Sequence, residues 1–252
     1  MDTLGAVIGP LLALVYLYFY PQDYKTLFYI AFLPGLIAVL ASFFLKDKNK
    51  IHPKEKKIIS FFSFLNYWKT CPQQYRKIVI GLLAFTLFNS SDIFLLLKAK
   101  QVGLNDASVI GVYIFYNLIY ALCAFPIGIY ADKIGLKKML VFGLSLFAIV
   151  YFGMAFSTNL YAIALLFFIY GVYAAATEGI SKAWISNVSD KKDTATAIGT
   201  YSAFQSICTM LASTIAGLIW YQFGANTTFI ITAIATVFIT LYFTFFIKYK
   251  TT

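Results

Sequence analysis

Apolar residues run in long blocks along this chain, and the charged residues fall in the gaps between them. Seven blocks reach about twenty residues, and an eighth at the start is shorter. The expected spans are 3–20, 26–45, 78–97, 107–131, 139–156, 161–181, 194–220 and 227–247. With a rise of about 1.5 Å per residue, twenty helical residues cross roughly 30 Å, the thickness of a bilayer's hydrocarbon core. Pro34 and Pro126 fall inside such blocks, where neighbouring helices can satisfy the carbonyls they free. Barrel strands need short alternating segments, which these unbroken runs are not. The fold class expected is an all-α integral membrane protein, a bundle of eight transmembrane helices.

Composition removes the soluble alternative. The 252 residues are 61% hydrophobic and 12% charged, with a mean hydropathy of +0.79. A soluble domain of that size hides one or two such segments in its core, not eight. Charge then sets the orientation. Eight spans put both termini on one side; if that side is the cytoplasm, seventeen of the 20 basic residues lie inside. Only Lys25, Lys98 and Lys100 then face out. The net charge of +10 thus reads as a topological signal, with the lipid bilayer and its anionic headgroups as partner and no nucleic acid. A multi-pass protein of the cell (inner or plasma) membrane is expected. The start lacks the basic region of a secretory signal peptide.

Three segments follow. Residues 1–45 carry two spans; 46–77 form a basic cytoplasmic linker; 78–252 carry six spans and a short cytoplasmic tail. The linker opens as the polar stretch KDKNKIHPKEKK and continues as IISFFSFLNYWKT, which can lie in the membrane interface as an amphipathic helix. Six spans make a complete packing unit; two do not.

The sharpest local pattern is the short connection after the fourth span, where Gly128, Asp132, Lys133, Gly135, Lys137 and Lys138 fall within eleven residues. Gly128 lets two helix ends approach, and Gly135 permits a tight turn. Asp132 can accept from amides at the start of the next helix, with the lysines at the headgroups. An ordinary basic cytoplasmic loop is the plain alternative. The pattern resembles the signature loop of the major facilitator superfamily, Gly-x-x-x-Asp-Arg/Lys-x-Gly-Arg/Lys-Arg/Lys, with Leu136 where a basic residue is commoner. The opening segment, with Gly5, Gly9 and Pro10, resembles the family's glycine-rich fifth helix, in which small residues allow tight helix packing. Together the two resemblances imply helices five to twelve of a twelve-helix transporter, lacking the first four. Residues 1–45 would then be the last two helices of the N-terminal half, and 78–252 the C-terminal six-helix half. The missing four helices would belong to a longer protein or to a separate partner chain.

Ionisable groups inside spans are costly and mark function. Glu178 stands among small apolar residues; it reads as a carboxylate for substrate or proton, or as an intrahelical partner of Lys182 four residues on. Asp92 lies near the outer end of the first span after the linker, either in a cavity or at its rim. Asn89, Asn117, Tyr120 and Gln205 are polar groups suited to a solute pathway or equally to interhelical bonds. The resemblance implies that the helices of Asp92 and Glu178 line a central cavity. Tyr18, Tyr20, Tyr24, Trp68, Tyr151, Trp220, Tyr221 and Tyr249 read as interfacial anchors. Cys71, Cys123 and Cys208 lack metal-ligand spacing, and His52 stands alone among lysines.

No nucleotide or nucleophile motif is present, so neither an enzyme nor a cofactor is expected. The reading these features support is secondary, proton-coupled transport of a small solute by alternating access, as a fragment of a larger transporter. A non-transporting scaffold or receptor on the same framework, or a subunit of a split transporter, is the alternative.

Overall fold

The structure is a computed structural model that describes residues 2–43 and 63–247. Every regular element among them is a helix: α1 (Asp2–Phe19), α2 (Tyr24–Phe43), α3 (Ser63–Thr70), α4 (Gln73–Phe88), α5 (Ile93–Gln101), α6 (Asp106–Ile134), α7 (Leu136–Phe156), α8 (Leu160–Val188) and α9 (Thr194–Phe245). Six stretches are long and apolar enough to cross a membrane, α4 and α5 counting together as one. The molecule is a multi-span membrane bundle. Most of the basic linker and the lysines of the tail lie outside the described residues.

Local chemistry sets the helix ends. Asn105 opens α6 by accepting from the Ser108 amide at 2.8 Å, and Asn159 opens α8 by accepting from the Tyr161 amide at 2.9 Å. Helix α9 is 52 residues long, about 78 Å if straight, far more than one bilayer crossing. It turns at Gly224, whose φ of 83° suits a residue without Cβ. The buried Lys98 of α5 donates to Asn226 just beyond that turn, at 2.9 Å.

The core lies among α4 and α6 to α9. Helix α7 packs along α8 and α9, α6 along α8, and α4 along α9. Its centre holds Ile78, Leu140, Leu144, Phe147, Phe229 and Phe243, all essentially buried. Lipid offers apolar side chains no water to escape from, so contact depends on how closely backbones approach. A Cβ built on Gly171 would stand 2.7 Å from the Tyr116 carbonyl of α6, and one on Gly143 would stand 2.5 Å from Thr177 of α8. Tyr75 of α4 donates to the Ala197 carbonyl of α9 at 2.8 Å.

Several sequence expectations need correction. The span 78–97 is not one helix: α4 ends at Phe88, α5 begins at Ile93, and four polar residues lie between. Asn, Ser and Asp side chains compete with the backbone for hydrogen bonds, and the Ser91 hydroxyl accepts from the Ile93 amide at 3.4 Å. Gly5 and Gly9 have no described residue within 4 Å of where a Cβ would stand. Helix α1 lies along α6, with Leu14 and Leu17 bordering the same surface hollow as Ala107 and Ile110. The described part of the linker forms the short helix α3, which packs on α9 with Trp68 edge-on to Phe204. Arg76 donates to the carbonyls of Trp68 and Lys69 at its end. Tyr151 is no anchor but a fully buried ring stacked on Phe147.

Candidate functional site

The break between α4 and α5 is the centre of the candidate site. Asn89 ends α4 in a non-helical conformation (φ −84°, ψ 85°), and Asp92 stands at the start of α5. Both carboxyl oxygens of Asp92 are engaged. Tyr116 of α6 donates to Oδ2 and Tyr170 of α8 donates to Oδ1, each at 2.5 Å. A carboxylate oxygen accepts only, so two hydroxyl donors match its charged form. The close approach at Gly171 brings α6 and α8 near enough for both tyrosines to reach the same residue.

Two adjoining cavities open on this group. The larger, about 590 Å³, is lined by residues of α4 to α9, among them Asn89, Asp92, Glu178, Lys182 and Gln205. The smaller, about 240 Å³, is lined by α4, α6 and α8 residues together with Asp92. Asn89, Asp92, Tyr113, Tyr173 and Glu178 border both. The six polar residues singled out from sequence therefore come together here: Asn89, Asp92, Glu178 and Gln205 on the larger cavity, Asn117 and Tyr120 on the smaller. Glu178 is exposed towards the larger cavity and is not sealed in the core. Asn117 is buried and donates to the Tyr113 carbonyl of its own helix at 2.9 Å. Asn89 donates to the Tyr173 hydroxyl at 3.3 Å, while its own Oδ1 is buried without a protein partner.

Tyrosine is what sequence reading missed. Tyr113 and Tyr116 meet edge to face with centroids 5.3 Å apart; so do Tyr116 and Tyr170; Tyr170 and Tyr173 stand 5.2 Å apart. The signal was present on α8: Tyr170, Tyr173, Ala174, Thr177, Glu178, Ser181 and Lys182 follow helical spacing, and all line a cavity.

The signature-type loop lies away from these cavities. Gly135 alone joins α6 to α7, with φ 96°, as the tight turn requires. Lys137 donates to the carbonyls of Thr244 and Ile247 at 2.9 and 2.7 Å, closing the end of α9. Asp132, Lys133 and Lys138 are exposed. Asp132 does not cap α7: it still belongs to α6, where side chains lean towards their own N-terminus and so away from the next helix. Gly128 makes no close approach either, since a Cβ there would meet nothing within 4 Å. Among the described residues no cluster of three His, Cys, Asp or Glu side chains is placed to hold a metal ion.

Comparison with known proteins gives three findings. The profile described as Major Facilitator Superfamily matches residues 78–252. An uncharacterized MFS-type transporter of Methanocaldococcus jannaschii is 31% identical over 225 residues, covering 87% of this chain and 55% of that protein. The crystal structure of the human organic anion transporter TETRAN superposes with a TM-score of 0.54 at 15% identity, over 67% of this chain and 40% of that one. The chain spans about half the length of the curated relative it matches.

Proposed function

This chain belongs to the major facilitator superfamily, a family of transporters and not of enzymes, and we propose that it carries a small solute by proton-coupled alternating access. It would supply helices five to twelve of a twelve-helix unit, with α4 and α5 forming one span and the two arms of α9 forming two. A further four-helix portion, on the same chain or a separate one, would complete the cavity. The preponderance of basic residues in the linker and tail supports cytoplasmic termini.

The observation that carries the proposal is the meeting of polar side chains from α4, α6, α8 and α9 around a helix broken within a membrane-crossing segment. Non-helical backbone at membrane depth is tolerated where it lines a cavity, and broken helices build solute and ion sites in transporters. Asp92 and Glu178 are the carboxylates available there for a coupled proton.

The test needs no known solute. Gln205→Cys, in a background freed of Cys71, Cys123 and Cys208, is reconstituted in vesicles and labelled with a membrane-impermeant maleimide. Imposing a pH gradient should shift the labelling rate, and Glu178→Gln should abolish that shift while leaving insertion intact. A rate indifferent to the gradient would sink alternating access driven by protons; an unaltered shift in Glu178→Gln would remove Glu178 from the coupling.

A further inference from the structure

We propose that the solute group received beside Asp92 is an organic ammonium, a protonated amine attached to an apolar body. This rests on the transporter reading and names the substrate class of the same site.

Three independent features of the cavities point the same way. Charge is first: among the described residues two carboxylates, Asp92 and Glu178, face the cavities against the single ammonium of Lys182. Ring arrangement is second. Tyr113, Tyr116, Tyr170 and Tyr173 form a continuous run of rings, with interplanar angles of 84°, 70° and 39° between successive members. All four line the smaller cavity with Asp92. Such angles present ring faces from several directions, and a ring face is the electron-rich surface that attracts a cation. Hydrogen-bonding sense is third. Asn89 Oδ1 is a buried acceptor without a protein donor, and the remaining lone pairs of Asp92 are acceptors too. A donor-rich cation matches them.

The tyrosine hydroxyls of Tyr116 and Tyr170 have a definite part. They point at Asp92, which fixes the carboxylate among the rings that line the smaller cavity. Asp92 supplies the charge and the tyrosines supply a wall that is apolar to the solute's body yet attractive to its cation. An anionic solute would meet the same wall with the wrong sign. The small cavity, about 240 Å³, accepts a headgroup and the adjoining one of about 590 Å³ accepts the remainder.

The experiment uses the native protein purified in detergent and three ligands of matched shape: 2-phenylethylammonium, neutral 2-phenylethanol and anionic phenylacetate. Thermal melting and protection of Gln205→Cys from maleimide are read against concentration. The expected result is saturable stabilisation and protection by the ammonium, with the alcohol and the acid at least on the order of tenfold weaker. Asp92→Asn should weaken the ammonium by a similar factor; should that protein fail to fold, Glu178→Gln, exposed in the cavity, provides the second variant. Stabilisation by phenylacetate equal to that by the ammonium overturns the proposal. So does absence of any ammonium effect, or an affinity unchanged in both variants. Failure here leaves the pH-driven labelling of Gln205→Cys standing as a separate test of transport.

Discussion

Helices α2 and α8 are similarly apolar and each is long enough to cross a membrane, yet 56% of α8's most apolar stretch is buried within the protein and none of α2's is. The difference lies in what stands beside each helix, not in hydropathy: α8 packs along α6 and α7, whereas among the described residues α2 meets little beyond α1. Helix α8 alternates large rings with Gly171, Ala174, Ala175 and Ala176, and sets Thr177 and Ser181 on the same side. Helix α2 presents Phe28, Phe32, Leu33, Leu36 and Phe43, all exposed. In lipid, where apolar surface gains little by leaving its solvent, small residues let backbones meet and bulky ones face the acyl chains. Hydropathy thus identifies what enters the membrane; small residues permit packing, as on α8, but do not impose it, since Ala31, Gly35, Ala38 and Ser42 of α2 meet no described helix closely.

The widest gap between the two regions should appear on adding bulk to a glycine. Gly171→Val forces a side chain into the Tyr116 carbonyl and Ile119, where overpacking costs about 1–3 kcal/mol, and the melting temperature in detergent should fall by several degrees. Gly35→Val on α2 meets nothing within 4 Å and should leave melting unchanged. Equal losses at both sites would break the comparison.

Removing one hydroxyl sharpens it further. Tyr170→Phe strips a donor from Asp92 inside the bundle and should cost about 1–3 kcal/mol in thermal or denaturant unfolding. Tyr16→Phe removes the equivalent bond to the half-buried Asp23 of the α1–α2 turn, at 2.9 Å, and should cost less. A smaller effect is expected from Lys137→Met, which frees the carbonyls of Thr244 and Ile247; faster amide exchange confined to the end of α9, worth about 1 kcal/mol, is the measurable sign.

The smallest effect belongs to the turn before α2. Hydrogen bonds from Thr26, then from Tyr16, hold the Asp23 carboxyl below the usual carboxylate range. A lowered folded value means the contribution is present above about pH 4, the unfolded value, and fades as pH falls through the folded one. Because the group lies in a solvent-reached turn and Asn keeps an acceptor there, Asp23→Asn should leave the melting temperature at neutral pH nearly unchanged.

Much of the fold was legible in sequence because long apolar runs have few alternatives. The bend at Gly224 falls in the gap between two expected spans, and Gly135 makes the turn its position suggested. The break at 89–92 was hidden, since a window average smooths over four polar residues in an apolar surround. The polar site residues were found because charge and amide groups stand out in such segments. Tyr116, Tyr170 and Tyr173 were not, because tyrosine is equally at home at the membrane surface, and only the helical stripe on α8 separates the two uses.

The proposed alternating access would have α1 and α2 move relative to the bundle of α4 to α9 that lines the cavities at Asp92. Spin labels at the exposed positions Tyr29 on α2 and Tyr221 on α9 report that motion directly, by pulsed dipolar distance measurement in vesicles. Two distance populations are expected, with a ratio that shifts with pH and a shift that is lost in Asp92→Asn. A single distance, unchanged by pH in the native protein, would contradict proton-coupled rocking.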